Sequence, residues 1–418
     1  MKPLILTFVL ALVFISACSS GKRVTPPTTG TSISSAQANK NSAKALATGA
    51  EQTRVYVPLL KGKRVGVLAN PTSIIGKRHL VDSLKALGIN IVKAFGPEHG
   101  FRGQASDGAK VKNDVDAKTG IPIISLYGTH DKPTPEDLKG IDIMIFDIQD
   151  VGARFYTYIS TLHLLMEACA ENNVPLMVLD RPNPNAFSID GPIREEKYKS
   201  FIGMHPIPIT HGMTIGEYAK MINGEGWLKN KVQCKLSVIK MQDYTHATPY
   251  TLPVKPSPNL NTKQSVLLYP SLCLFEGTVI SVGRGTNIPF QVLGNPMLSK
   301  KYKFSFKPVS IPGMSDAPLH QNETCSGLDL RNYNTSNLIK SGRLNLKWLI
   351  EFYKAYPEKN NFFDHTLNKR MNNFDRLAGT ETLRKQIVAG KSEEEIRKSW
   401  EQGLSQFKVM RKKYLLYQ

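Results

Sequence analysis

Ile141-Asp142-Ile143-Met144-Ile145-Phe146, then Asp147-Ile148-Gln149-Asp150-Val151-Gly152-Ala153-Arg154-Phe155-Tyr156, then a helical pattern from Thr157 to Glu171: this stretch decides the fold. A short apolar run that breaks into polar residues reads as a buried strand leaving a sheet. The spacing after it is that of a helix, with Cys169 on its packed side. Outward from here the same unit recurs. Arg64–Leu68, Ile89–Phe95, Ile121–Leu126 and Val174–Leu179 are further apolar runs, and His79–Leu87 is another helical stretch. Strands alternating with helices at this spacing imply βαβ units, hence an α/β domain with a Rossmann-like, mostly parallel sheet.

In open parallel sheets ligands bind beyond the carboxyl ends of the strands, so the residues just past each run are informative. Asn70-Pro71-Thr72 comes after the first, Gly96-Pro97-Glu98-His99-Gly100-Phe101-Arg102-Gly103 after the second and Tyr127-Gly128 after the third. The deciding stretch supplies Asp147 to Tyr158, the fifth run ends in Asp180-Arg181-Pro182-Asn183-Pro184, and a short Ile207–Thr210 strand ends in His211-Gly212. Ionisable, polar and aromatic groups are thus delivered repeatedly to one edge. No G-x-G-x-x-G stands after the first strand, which argues against dinucleotide binding. The glycines around Glu98 suit tight turns beside a ligand.

After about residue 230 the pattern changes. Val232–Lys240 and Cys273–Val282 read as strands around a Pro-rich Tyr250–Leu260 segment, and Leu346–Tyr356 and Glu393–Lys413 read as basic amphipathic helices. This describes a smaller, mixed α/β domain over residues 231–418, facing the first across a cleft. Pro256-Ser257-Pro258-Asn259-Leu260, Phe275-Glu276-Gly277-Thr278 and Gly283-Arg284-Gly285-Thr286 are its polar contributions to that cleft.

The first residues read as an address. Lys2, the apolar Leu4 to Ile15, and Ile15-Ser16-Ala17-Cys18 form a signal peptide (residues 1–17) ending at a lipobox, with Cys18 as the lipidated residue. The apolar run is shorter than the about 20 residues that span a bilayer. Residues 18–53 are rich in Ser, Thr, Ala, Gly, Asn and Pro and read as a flexible tether ahead of a body split into residues 54–230 and 231–418. The expectation is an exported protein, lipid-anchored in the cell envelope. Its net charge of +20 would suggest nucleic acid in a cytosolic protein. With an export signal, an anionic envelope polymer fits better, and so does a merely soluble basic surface. Apart from Cys18 the cysteines are Cys169, Cys234, Cys273 and Cys325, with no C-x-x-C pair; one or two disulfides stay open.

Ala69-Asn70-Pro71-Thr72, Phe95 to Gly103, Asp147 to Tyr158, Leu179 to Pro184 and Gly283-Arg284-Gly285-Thr286 resemble the signature blocks of the exo-β-N-acetylmuramidases (NamZ, glycoside hydrolase family 171, formerly a domain of unknown function). The resemblance runs from about Arg54 to the C-terminus. It implies a Rossmann-like domain packed against a smaller one with the active site between, release of N-acetylmuramic acid from non-reducing ends of peptidoglycan fragments, and no metal or organic cofactor.

The residues fit such a reaction. Glycoside hydrolysis needs a carboxylic acid to protonate the leaving oxygen, and often a second carboxylate. Glu98, just past a buried strand among Pro97, His99 and Phe101, is the expected acid, with desolvation expected to raise its pKa. Asp150, Glu276 and Asp147, or the substrate's own N-acetyl group, are alternatives for the second role, and His99 is a hydrogen-bonding partner for a catalytic group. The lactyl carboxylate of the substrate calls for a planar cation. Arg102, Arg154, Arg181 and Arg284 are available, with Arg154 and Arg284 favoured. Tyr156 and Tyr158 suit stacking on sugar faces. Asn70, Thr72, Gln149, Asp180, Asn183, His211 and Asn259 complete the expected substrate contacts. Two other readings stay open. Glu98, His99, Asp147, Asp150, Asp180 and His211 could gather a metal in another hydrolase, and two lobes about a cleft also describe a sugar-binding lipoprotein without catalysis.

Overall fold

The computed structural model describes residues 46–102, 114–364 and 373–418. The signal peptide, Cys18, tether residues 18–45 and Gly103 lie outside them. Strands β1 (Val65–Ala69), β2 (Ile91–Gly96), β3 (Pro122–Ser125), β4 (Ile143–Asp147) and β5 (Leu176–Leu179) stand where the apolar runs place them. With β6 (Leu236–Ile239) they form a sheet of order β3-β2-β1-β4-β5-β6. All of these pairings are parallel, and Asp114–Val115 adds an antiparallel edge to β3. This is the doubly wound order, with its switch point between β1 and β4.

Both faces of the sheet are covered, which is why its strands are apolar without alternation. Ile143 and Ile145 of β4 pack with α1 (Thr53–Leu60) and α2 (Leu80–Ala86). Met144 and Phe146 point the other way, into a larger core shared with α3 (Tyr158–Glu171), α4 (Ile215–Gly224) and the second domain. That smaller domain holds α5 (Lys263–Leu272), an antiparallel sheet of β7 (Val292–Asn295), β9 (Cys325–Asp329) and β8 (Phe304–Phe306) in that order, and α6 (Lys347–Ala355). Among the described residues no helix is long and apolar enough to cross a membrane.

Several boundaries differ from those the sequence suggests. The Val232–Lys240 run, expected to open the second domain, is β6 and pairs with β5, so the sheet domain runs past residue 230. Cys273–Val282 is not a strand: α5, started by a Thr262–Ser265 capping box, runs on into a 3₁₀ turn at Cys273–Gly277. A short, mostly apolar run of this length carries too little period to tell the two apart. The Ile207–Thr210 strand shrinks to Thr210–His211, which pairs with Ile189–Asp190 away from the main sheet. Glu393–Lys413 is two helices, Glu393–Lys398 and Glu401–Lys412, broken where Trp400 turns into the core. The folded body begins earlier than residue 54. Ala47 bridges Gln242, and the Glu51 carboxylate accepts from the Thr48 amide at 2.8 Å, so residues 46–53 are already part of the body. Cys169, Cys234, Cys273 and Cys325 are all buried free thiols.

Three histidines, His79 partly buried and His163 and His205 buried, bear on stability. Burial, then the nearby Arg102 cation, hold His79 down to about 4. His163 is likewise lowered to about 4 by burial. His205, hydrogen-bonded between His163 and Tyr218, is held well below its usual value by burial. Each stays neutral in the native state while the unfolded chain takes up a proton near pH 6.5, so stability falls as pH drops from about 6.5 toward 4. Asp180 opposes this. Burial raises it to about 6 despite its bonds from Tyr417, Gly216 and Thr214, so the native chain gains its proton first and recovers stability below pH 6. Asp147, also raised by burial, acts in the same direction as Asp180, and the three histidines outweigh the two carboxylates. The expected result is a loss on the order of 1 kcal/mol per pH unit near pH 5. Urea midpoints at pH 7 and pH 5 check it, and equal midpoints would refute it.

Candidate active site

The carboxyl edge of the sheet divides into a polar network closed on itself and an open cavity beside it. At the β1–β4 switch point the network is dense. Asn70 Oδ1 accepts from the Thr72 amide at 2.9 Å, Thr72 Oγ1 accepts from the Gln149 amide at 3.0 Å, and the Gln149 side chain donates to the carbonyls of Asp150 and Pro182. Arg181 is closed on Asp147 through Nε–Oδ1 at 2.6 Å and Nη2–Oδ2 at 2.8 Å, both residues fully buried. Asp180 accepts from Thr214 Oγ1 and Tyr417 Oη, each at 2.7 Å, and from the Gly216 amide at 2.8 Å. Asn183 spans to the Met213 carbonyl and the Asn185 amide, and Asp150 takes the Gly152 amide at 2.6 Å and faces His211 Nε2 at 3.7 Å. The crevice that holds a ligand in many doubly wound sheets is filled here by the chain's own side chains.

Two of the expected substrate arginines are likewise engaged. Arg102 binds Asp116 and Asp82, at 2.7 and 2.9 Å from its Nη2. Arg154, wholly buried, donates to four carbonyls: Nη1 to Pro192 and Ile207, Nη2 to Leu377 and Ala378. Burial pulls its guanidinium down to about 9. Of the residues expected in the site, Asn70, Thr72, Arg102, Gln149, Asp150, Arg154, Asp180, Arg181, Asn183 and His211 therefore do not line the cavity, and of the residues considered for a metal cluster Asp147, Asp150, Asp180 and His211 are held in these contacts while Glu98 and His99 stand apart on the cavity wall.

The cavity, of about 620 Å³, lies between the loops after β2, β3 and β4 and the second domain. This is within the common range for small-molecule sites. It brings together Glu98, His99, Tyr156, Tyr158, Asn259, Glu276 and Arg284 from the expected set. Glu98 is half-buried on a turn closed by the Gly100 amide and the Pro97 carbonyl at 2.9 Å. His99 sits there with φ of 70°, a conformation that a side chain rarely adopts. Tyr127 Oη donates to Glu98 Oε1 at 2.9 Å and Thr157 Oγ1 to Glu98 Oε2 at 3.2 Å. Tyr156 and Tyr158 meet edge to face and their hydroxyls reach the Pro256 carbonyl, so they form a wall joined to the Pro256 loop.

Opposite lies a charged pair. Arg284 Nε donates to Glu276 Oε1, and the guanidinium rests over the Phe290 ring at 5.1 Å. Gly283 and Gly285 flank Arg284 with φ near +80°, and a Cβ at either would strike a neighbour at 2.5 Å, so the turn that presents the cation is built only with glycine. Glu276 also accepts from the Cys273 thiol at 3.4 Å, and Asn259 donates to the Met314 carbonyl at 2.8 Å, holding down the loop that carries Asp316 on the rim. Tyr127 and Thr157 are functional neighbours that the sequence leaves unmarked, although both stand in strand-end segments. For the Ser315–Leu319 loop the sequence carries no signal at all.

The family model for the exo-β-N-acetylmuramidase NamZ N-terminal domain matches residues 65–264, and that for its C-terminal domain residues 267–417. The chain belongs to the NamZ exo-β-N-acetylmuramidase family. The boundary between the two matches falls in the first turn of α5, consistent with β6 belonging to the first sheet. A curated relative, the peptidoglycan β-N-acetylmuramidase NamZ of Bacillus subtilis, is 42% identical over 380 residues, covering 87% of this chain and 89% of its own. Two DUF1343 family proteins of Bacteroides fragilis have crystal structures of the same fold. One has a TM-score of 0.80 at 44% identity, covering 90% of this chain and 99% of its own, the other 0.75 at 32%, covering 89% and 99%.

Proposed function

We infer that this protein is an exo-acting β-N-acetylmuramidase, a glycoside hydrolase that releases N-acetylmuramic acid from the ends of peptidoglycan fragments, with Glu98 protonating the leaving oxygen. The observation that carries the assignment of Glu98 is its half-buried carboxyl on the cavity wall, held by two hydroxyls, in a chain of this family. Glu276 is the second carboxyl of this reading, because it alone among Asp147, Asp150 and Glu276 lines the cavity. Arg284, planar and stacked on Phe290, is the group for the substrate's lactyl carboxylate. The lipobox at Cys18 supports export and lipid anchoring in the envelope.

Purified protein without residues 1–18 should release chromophore from an aryl β-N-acetylmuramide and not from the matching N-acetylglucosaminide, which lacks the lactyl carboxylate. Arg284→Gln should raise KM for the muramide by roughly 10- to 100-fold, the loss of a charge-assisted contact. Equal hydrolysis of the two glycosides by the native protein would overturn the assignment of Arg284.

A further inference from the structure

We propose that Tyr127 and Thr157 are the positioning residues of Glu98, a hydroxyl pair that orients its carboxyl toward the cavity in both of its protonation states. This rests on the reading of Glu98 as the proton donor.

Three independent elements of the sheet domain converge on this one side chain. Glu98 leaves β2 on the turn closed at Gly100. Tyr127 is placed beside it because the Leu126 amide donates to the Gly96 carbonyl at 2.8 Å, extending the β2–β3 pairing to the residue before the tyrosine. Thr157 comes from the start of α3, and its local chemistry is informative. It precedes the helix with backbone angles that are already helical (φ −73°, ψ −7°), so its hydroxyl does not cap its own helix and is free to donate to Glu98 Oε2. By contrast Thr134, Thr214 and Thr262 cap their helices in the ordinary way.

The chemical type of the two partners fits a residue that must give up and regain a proton each turnover. A lysine or arginine only donates and would hold the carboxylate ionised. A hydroxyl donates to the carboxylate and, by rotating, accepts from the carboxylic acid. With one hydroxyl on each oxygen, the carboxyl plane is fixed whichever oxygen carries the proton. The buried Asp82 is treated differently, facing the cations of Arg102 and Lys118.

The test compares Tyr127→Phe, Thr157→Val and Thr157→Ser with Glu98→Gln on an unactivated muramyl disaccharide, with thermal melts to confirm folding. Tyr127→Phe and Thr157→Val should each lower kcat by about 10- to 100-fold, with KM changed by less than about threefold. Each should also move the alkaline limb of kcat/KM to higher pH, since a donor to the charged form has been removed. Thr157→Ser should stay near the native profile. A limb that does not move in either Tyr127→Phe or Thr157→Val, while Glu98→Gln is inactive, refutes the positioning role and leaves Glu98 in place. Native-like turnover by Glu98→Gln would instead remove the premise.

Discussion

Glu98→Gln is expected to lower turnover of an unactivated muramyl glycan by about 10³-fold or more, while binding of N-acetylmuramic acid changes little. The amide is isosteric with the carboxyl, and both neighbours are hydroxyls: Tyr127 can still donate to the amide oxygen and Thr157 can accept from the amide nitrogen. The site therefore keeps its shape. What disappears is the acid, because an amide cannot hand a proton to a leaving alkoxide. Positioned general acids contribute about 10²–10⁴-fold.

The leaving group sharpens the test. A nitrophenolate departs without protonation, so an activated aryl muramide should lose much less in the mutant than a natural disaccharide. A uniform loss on both substrates would mean that Glu98 serves substrate placement and not proton transfer. Measuring kcat on the two substrates, with binding of the free sugar by calorimetry, separates these outcomes.

The doubly wound sheet was legible because its strands are apolar on both faces and bounded by polar ends, as Ile143 to Asp147 illustrates. The site was legible only in part. The sequence delivers polar groups to the carboxyl edge but does not say which of them turn inward. Arg154 and Glu98 look alike as charged residues beyond a strand. One has its guanidinium closed over four carbonyls and the other leans into the cavity. The difference is made by Leu377 and Ala378, more than two hundred residues away, and no local pattern near Arg154 announces them. The same holds for the far wall of the cavity. Arg284 was visible through its flanking glycines, but its pairing with Glu276 depends on α5 continuing into a 3₁₀ turn, where the sequence suggested a strand.

Arg154→Met is expected to destabilise the protein by on the order of 4 kcal/mol, with little direct effect on substrate recognition. Two effects compete. A wholly buried guanidinium is itself expensive, as its fall to about 9 shows, and replacing buried charges by apolar groups is sometimes neutral or stabilising. That exchange succeeds when both partners of a pair are replaced. Here the partners are the backbone carbonyls of Pro192, Ile207, Leu377 and Ala378, which no side-chain substitution removes. The Ile207 carbonyl keeps the Arg194 amide at 3.2 Å, but stranding those of Pro192, Leu377 and Ala378 costs roughly 1–3 kcal/mol each before relaxation, and the sum outweighs the relief of the charge. Arg154→Lys should recover little, because one ammonium cannot span two carbonyls of the sheet domain and two of the Leu377–Ala378 segment at once. A melting temperature lowered by several degrees in both variants, with KM near native at a temperature where they are folded, is the expected outcome. Had Arg154 instead held the substrate carboxylate, KM would rise steeply while the melt stayed unchanged, so the pair of measurements decides between an arginine that binds the ligand and one that fastens the two halves of its cavity together.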